Sequence, residues 1–328
     1  LNQKGFRTRI VTLFNKIKKP MSKDINGLEE LSNFIVASKY ARHQKELGRR
    51  EVWEEAVTRT RNMHLKRFSH LKSEDLMAIV DAFELVEKKY AVPSMRSLQF
   101  GGKAIETCNE RGYNCACRHI DSIRAFAEIF YMLLCGSGVT FGLNKQFLSR
   151  LPDLVDASDK TGTVLTYVVD DTIQGWANSL EALLSCYFRN TAFTGRKIVF
   201  DFSKIRKKGS LLKTSGGRAP GYKGLKQALI LIKKLLDHII EVNGQTRMRS
   251  IDVYDILMHT ADAVLSGGIR RAATAVIFEP DDQDMLQAKS DFVVEKIKNH
   301  SVDEDEKVAY ATFTTKEKTY RNVKFDIS

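Results

Sequence analysis

What the chain lacks narrows it first. No apolar run reaches the roughly 18 residues that a membrane span needs, so neither a spanning helix nor a membrane partner is expected. The opening LNQKGFRTRI has basic residues without the apolar core of a secretory signal. It also lacks an initiating Met, and the chain is expected to be a fragment or a processed product. Cysteine is scarce: Cys108, Cys115, Cys117, Cys135 and Cys186 are the whole set. An odd, sparse set in a chain of 328 residues excludes a secreted disulfide scaffold and points to a reducing compartment. Neither a phosphate-loop motif nor a dinucleotide fingerprint is found in the right context. No second C-x₂-C pair accompanies the cysteines, and His119 alone completes no metal site, so no metal is expected. No carboxylate dyad or nucleophile–base pair can be read from local spacing. Internal repeats and low-complexity tracts are also missing.

Acidic residues are outnumbered. Lys and Arg total 52 against 40 Asp and Glu, a net charge of +12, which suits a polyanionic ligand such as a nucleotide. Part of that excess belongs to solvated helix faces, as in KIKK. Basic and aromatic residues do not interleave as in a stacking platform, so no specific nucleic-acid partner is expected. The 43% hydrophobic and 28% charged content is that of an ordinary globular protein with room for one large or two ordinary domains.

The chain divides by texture. Residues 1–26 form a basic segment. Residues 27–91 read as a helical domain, in which LEELSNFIVASKYA and REVWEEAVTRTRNMHLKRF carry apolar residues at helical spacing. SEDLMAIVDAFELVEKK adds a third helix, with Ser73 as its expected cap. Over 92–289 strands alternate with helices. PSMRSLQFGG, NCACRHI, VTFGL, KIVFDFSKI and AATAVIFEP read as strands. IDSIRAFAEIFYMLLCGSG is a strong helix, with Asp121 expected as cap, Phe126, Ala127, Phe130, Leu133 and Leu134 on one face, and Gly136 as its stop. DDTIQGWANSLEALLSCYF follows, with Asp170-Asp171 expected at its cap, then YKGLKQALILIKKLLDHIIEV and SIDVYDILMHTADAVL. The alternation predicts an α/β fold with largely parallel strands. Residues 290–328 are charged and weakly patterned, and stay unassigned.

Glycine clusters fall at the junctions: GSG (136–138), TSGGRAPG (214–221) and SGGIRR (266–271). Glycine lets backbone N–H groups approach a ligand, and Lys213, Arg218, Arg270 and Arg271 add charge for phosphate. Singly, each cluster is an ordinary helix stop; together they favour a nucleotide-type ligand. Cys115 and Cys117 lie two apart in a strand, hence on one face. Redox partners, metal ligands and small core residues all remain open for them.

PSMRSLQFGGKAI, YNCACRHIDSIRAFAEIFYMLLCGSGVTFGL, SKIRKKGSLLKTSGGRAPG and IDVYDILMHTADAVLSGGIRRAATAVIFEPDD, in that order, resemble the class II, adenosylcobalamin-dependent ribonucleotide reductases, above all the monomeric ribonucleoside-triphosphate type. ELGRREVWEEAVTR fits the helical N-terminal region of that family, and the similarity covers about residues 27–290. The resemblance implies a helical domain followed by about the first half of a ten-stranded α/β barrel. It implies that Cys115 is a redox cysteine that reduces the ribose 2′ position. Ser137, Gly138 and, more loosely, Ser94 would line the substrate. Lys213, Gly216, Gly217 and Arg218 would lie near a dNTP allosteric effector. Gly267, Gly268 and Arg271 would belong to a second effector loop, whose Arg270 meets the substrate. Adenosylcobalamin as cofactor, a ribonucleotide substrate, a thioredoxin-type reductant and a cytoplasmic, bacterial or phage setting come with it.

The departures are specific. The family's radical cysteine sits in an Asn-x-Cys-x-Glu loop, and that pattern occurs nowhere in this sequence. Neither the second redox cysteine nor a C-terminal relay pair can be identified. The chain is therefore expected to be inactive alone and to need a separately encoded or missing C-terminal half. The alternatives are a catalytically inactive nucleotide-binding module and a fragment of a class I reductase large subunit.

Overall fold

A computed structural model describes residues 26–44, 46–157, 164–210, 218–241, 244–265 and 273–288, and the strand backbone of 296–303, 308–314 and 319–326. The chain divides into two compact units between Tyr113 and Asn114.

The first unit is helical. α1 (Asn26–Ile35) runs into a π-helical turn, Val36–Tyr40, and a short hairpin joins β1 (His43–Gln44) to β2 (Arg49–Arg50). α2 (Trp53–Arg67), α3 (Ser73–Glu87), α4 (Met95–Phe100) and α5 (Lys103–Thr107) follow. Val36, Trp53, Val57, Phe83, Val86 and Leu98 form its apolar centre. At the start of α2, Glu55 accepts the Val52 amide at 2.9 Å and both arms of Arg49 at 2.8 Å, tying the hairpin to the helix. Two sequence expectations change here. Ser73 is the first helical residue of α3; the cap position is Lys72, with no side-chain bond. PSMRSLQFGG forms helix α4 rather than a strand. Arg42 and Arg59 each donate to the Gly101 carbonyl at 2.7 Å, and Arg59 to that of Leu98 at 2.9 Å. Those guanidiniums satisfy the carbonyls at the end of this short helix, which no local pattern reveals.

The second unit is α/β. β3 (Cys115–His119), α6 (Ile123–Cys135) and β4 (Gly138–Gly142) form a parallel βαβ unit, with α7 (Lys145–Leu148) after it. β5 (Leu165–Val168), α8 (Ile173–Tyr187), β6 (Ile198–Asp201), α9 (Lys223–Glu241), α10 (Ser250–Leu265), β7 (Thr274–Ile277) and α11 (Gln283–Gln287) complete it. The strands make two parallel sheets among the described residues: β3-β4-β7, and a separate β5-β6 pair. So β6 does not continue the sheet of β4, as an unbroken alternation would have had it. β5 was not anticipated from the sequence at all.

One apolar core holds this unit together. Phe126, Phe130 and Leu133 of α6 pack with Leu180 and Leu183 of α8, Leu229 and Leu236 of α9, and Ile256 and Leu257 of α10, against Val139 and Phe141 of β4. The apolar face expected for α6 is the face it buries. Its cap is Ser122, not Asp121, because Asp121 is engaged by Arg118 at 3.0 Å. Likewise Thr172, not Asp170-Asp171, caps α8, accepting the Gly175 amide at 2.8 Å. The two aspartates pair instead with Lys204 and Arg206.

Residues beyond 290 include three antiparallel strands, β8 (Lys296–Asp303), β9 (Val308–Thr314) and β10 (Thr319–Asp326), in the order β10-β9-β8. Among the described residues no helix is long and apolar enough to cross a membrane.

Candidate functional site

The β3-α6-β4 unit builds the site. α6 ends at Gly136, whose φ of 90° is left-handed and suits glycine. Its N–H returns to Leu133 at 2.9 Å, and that of Ser137 to Met132 at 3.1 Å. The chain thereby turns sharply, and the Gly138 amide meets the Asn114 carbonyl at 2.8 Å. This bond sets the register in which Cys115 lies beside Gly138, Cys117 beside Thr140 and His119 beside Gly142. Gly138 puts no side chain next to the Cys115 thiol. Ala273 and Asn114 atoms stand 3.7–3.8 Å from where its Cβ would be, so the backbone itself would tolerate alanine.

Alternation assigns the faces. Val139 and Phe141 turn into the core, with Ala116 and Val276 packed against it. Cys115, Cys117 and His119 lie on the opposite, exposed face of β3, as do Ala275 and Ile277 on β7. Arg118 turns toward the helix, where Glu128 (2.7 Å) and Asp121 (3.0 Å) bind its guanidinium. That fork fixes the pitch of β3 and so holds its thiols outward. At the strand's end, His119 stacks on Phe147 with centroids 4.1 Å apart. Gly142 permits this approach, since a Cβ there would lie 2.4 Å from His119 Nδ1.

All five cysteines are thiols. Cys115 and Cys117 are exposed; Cys135 and Cys186 are fully buried, and burial pushes Cys186 up to about 11. An exposed thiol can exchange with disulfides or reduce a ligand; a buried thiol of raised pKa is inert.

The remaining candidates are spread out. Ser137 is completely buried in the turn beside Gly138. Ser94 precedes α4 in the helical unit and is exposed. Arg218 is exposed and donates to the Gly209 carbonyl at 3.1 Å in the loop before α9. Lys213, Gly216, Gly217, Gly267, Gly268, Arg270 and Arg271 lie outside the described residues. What sequence reasoning undervalued is His119: its two-residue spacing from Cys117 carries the same-face signal that joined the cysteines.

Comparison with known proteins shows what the chain is similar to. The family model "B12-dependent ribonucleotide reductase, insertion domain" matches residues 152–236. A crystal structure of a B12-dependent, class II ribonucleotide reductase superposes with a TM-score of 0.65 at 22% identity, covering 84% of this chain and 46% of that one. The chain is thus similar in sequence and in fold to class II ribonucleotide reductases. Its similar curated relatives are, more particularly, adenosylcobalamin-dependent ribonucleoside-triphosphate reductases. The enzyme of Lactobacillus delbrueckii subsp. bulgaricus is 26% identical over 318 residues, 80% of this chain and 42% of the relative. That of Euglena gracilis is 27% identical over 283 residues, 80% of this chain and 37% of the relative. A probable one from Dictyostelium discoideum reaches 33% over a shorter 126-residue stretch. The chain thus spans about two-fifths of the length of the curated relatives it matches. The insertion-domain match also accounts for the second sheet. β5 and β6 both fall inside 152–236, between the strands β4 and β7 that pair with each other.

Proposed function

We propose that this chain carries the redox-cysteine part of an adenosylcobalamin-dependent ribonucleoside-triphosphate reductase. The observation that supports it most is the exposed Cys115 thiol at the start of a parallel strand, held in register beside side-chain-free Gly138 by the Gly136–Ser137 turn. In this reading β3, β4 and β7 are strands of the first half of a ten-stranded barrel, and their exposed face is its interior. The substrate ribose lies over Cys115. Gly138 offers it backbone and room, and Ser137 acts through its main chain. Ser94 and Arg270 complete the substrate contacts. Lys213, Gly216, Gly217 and Arg218, together with Gly267, Gly268 and Arg271, receive a dNTP effector.

The chemistry assigned to this chain is limited. Removing the ribose 2′-hydroxyl as water consumes two electrons and two protons, which two thiols supply as they become a disulfide. Cys115 supplies one thiol; a second thiol from the complementary half closes the disulfide, and a thioredoxin-type dithiol reopens it. Adenosylcobalamin, when bound, supplies the radical. The described residues gather no cluster of three or more His, Cys, Asp or Glu side chains suited to a metal.

Calorimetric titration with dNTPs tests the effector part. Binding is expected for this chain, with a drop of roughly tenfold or more in the Arg270→Ala/Arg271→Ala variant, the loss of one or two charge-assisted bonds. Unchanged affinity in that variant overturns the loop assignment.

A further inference from the structure

We propose that Cys115 and Cys117 together form a two-thiolate site for a soft monovalent cation, with Cu(I) as its simplest occupant. The two side chains share the exposed face of β3, two residues apart. Their Cα atoms therefore stand ~6.6 Å apart, from the rise of an extended strand. That is the upper limit for a disulfide, whose Cα atoms usually lie about 5.5–6 Å apart, so direct closure would strain the strand. A bridging ion suits the same spacing far better. Two metal–sulfur bonds of about 2.3 Å in a line separate the sulfurs by ~4.6 Å, within reach of two Cys side chains that lean toward each other.

The surroundings leave space for the ion. The register neighbours are Gly138 beside Cys115 and Thr140 beside Cys117, with Ala275 beyond Thr140. All three are small. On its other side β3 is an edge strand among the described residues. The Arg118 fork onto Glu128 and Asp121 fixes the strand from its opposite face, so both thiols are presented together. His119 is next on the same face, but its ring is stacked on Phe147. That engagement points to two sulfurs and no imidazole. Soft thiolates select Cu(I) over harder divalent ions. Binding exchanges two S–H protons for one Cu⁺, with no change of oxidation state.

The site does not depend on the reductase reading. A metal bridge would, however, withhold Cys115 from any thiol chemistry it performs. The test is anaerobic titration of this chain with Cu(I) against a chromogenic chelator. One ion per chain is expected. Cys115→Ser and Cys117→Ser should each weaken it at least a hundredfold, and Cys108→Ser and His119→Ala should leave it within about threefold. Copper binding that survives Cys117→Ser, or is lost with His119→Ala, overturns the proposal. Should a variant misfold, the native chain decides. Bound Cu(I) should shield Cys115 and Cys117, but not Cys108, from iodoacetamide, and its X-ray absorption should show two sulfur neighbours. Equal labelling with and without copper contradicts the site.

Discussion

Each cysteine's chemistry follows from its position on its element. Cys115 and Cys117 are exposed because they alternate with Ala116 and Arg118 on a strand whose other face meets α6. Cys135 and Cys186 close the buried faces of α6 and α8. Iodoacetamide at pH 8 is therefore expected to label Cys115 and Cys117 quickly in the native chain. Cys135 and Cys186 should react only on unfolding, which mass spectrometry of tryptic peptides would show. Rapid native labelling of Cys186 would contradict its burial. A second residue-scale expectation concerns Glu55. The Arg49 guanidinium, then the Val52 amide, hold its carboxyl at about 2, below the ordinary carboxylate range. A depressed folded value means stability that is full above the unfolded value and lost as pH falls through about 2. Glu55→Gln should thus be less stable than the native chain at pH 7. The gap in denaturation midpoint should close as the pH falls from about 4 to about 2.

The elements show what was legible beforehand. α6 could be read with its buried face and its stop, because Phe126, Phe130 and Leu133 recur at helical spacing and Gly136 ends it. β3, β4 and β7 were legible as short apolar runs bounded by turns. Three things depended on distant partners and were not. α4 looks like a strand because a six-residue stretch with three apolar residues (Met95, Leu98, Phe100) is too short to decide the period, and the arginines that satisfy its end come from β1's approach and from α2. Asp121, Asp170 and Asp171 look like caps, but Arg118, Lys204 and Arg206 claim them. Among the described residues β5 pairs with β6 alone, thirty-odd residues on, so its short stretch LTYV carries too little local signal. At the site, Cys115, Ser137 and Gly138 were proposed from family order. The shared face of Cys115, Cys117 and His119 needed the register. Two substitutions probe this level. Gly136→Ala forces a Cβ into left-handed backbone and should cost about 1–2 kcal/mol by urea denaturation. Thr172→Ala removes the α8 cap and should cost about 1 kcal/mol. A cost near zero for either would mean that the turn or cap is not as described.

At the scale of the whole molecule, the two parallel sheets each keep one face out of the core. Ile277, Val168 and Val199 are 56%, 40% and 48% exposed on those faces. Apolar side chains left on open parallel strands favour association. Sedimentation velocity of this chain should show concentration-dependent self-association that Ile277→Thr with Val168→Thr reduces, and an unchanged profile would argue that these faces are not sticky. In the reductase reading the exposed face of β3, β4 and β7, with Ile277, is the one that the complementary half-barrel closes over. The central claim is that Cys115 is the thiol this chain brings to ribonucleotide reduction. The direct measurement is a single turnover, without external reductant, of this chain assembled with a polypeptide carrying the Asn-x-Cys-x-Glu loop, in the presence of adenosylcobalamin and a ribonucleoside triphosphate. The expected result is about one deoxynucleotide per complex, with Cys115 recovered in a disulfide, and a yield lowered roughly a thousandfold by Cys115→Ser. Deoxynucleotide formed in undiminished yield by Cys115→Ser would contradict the account.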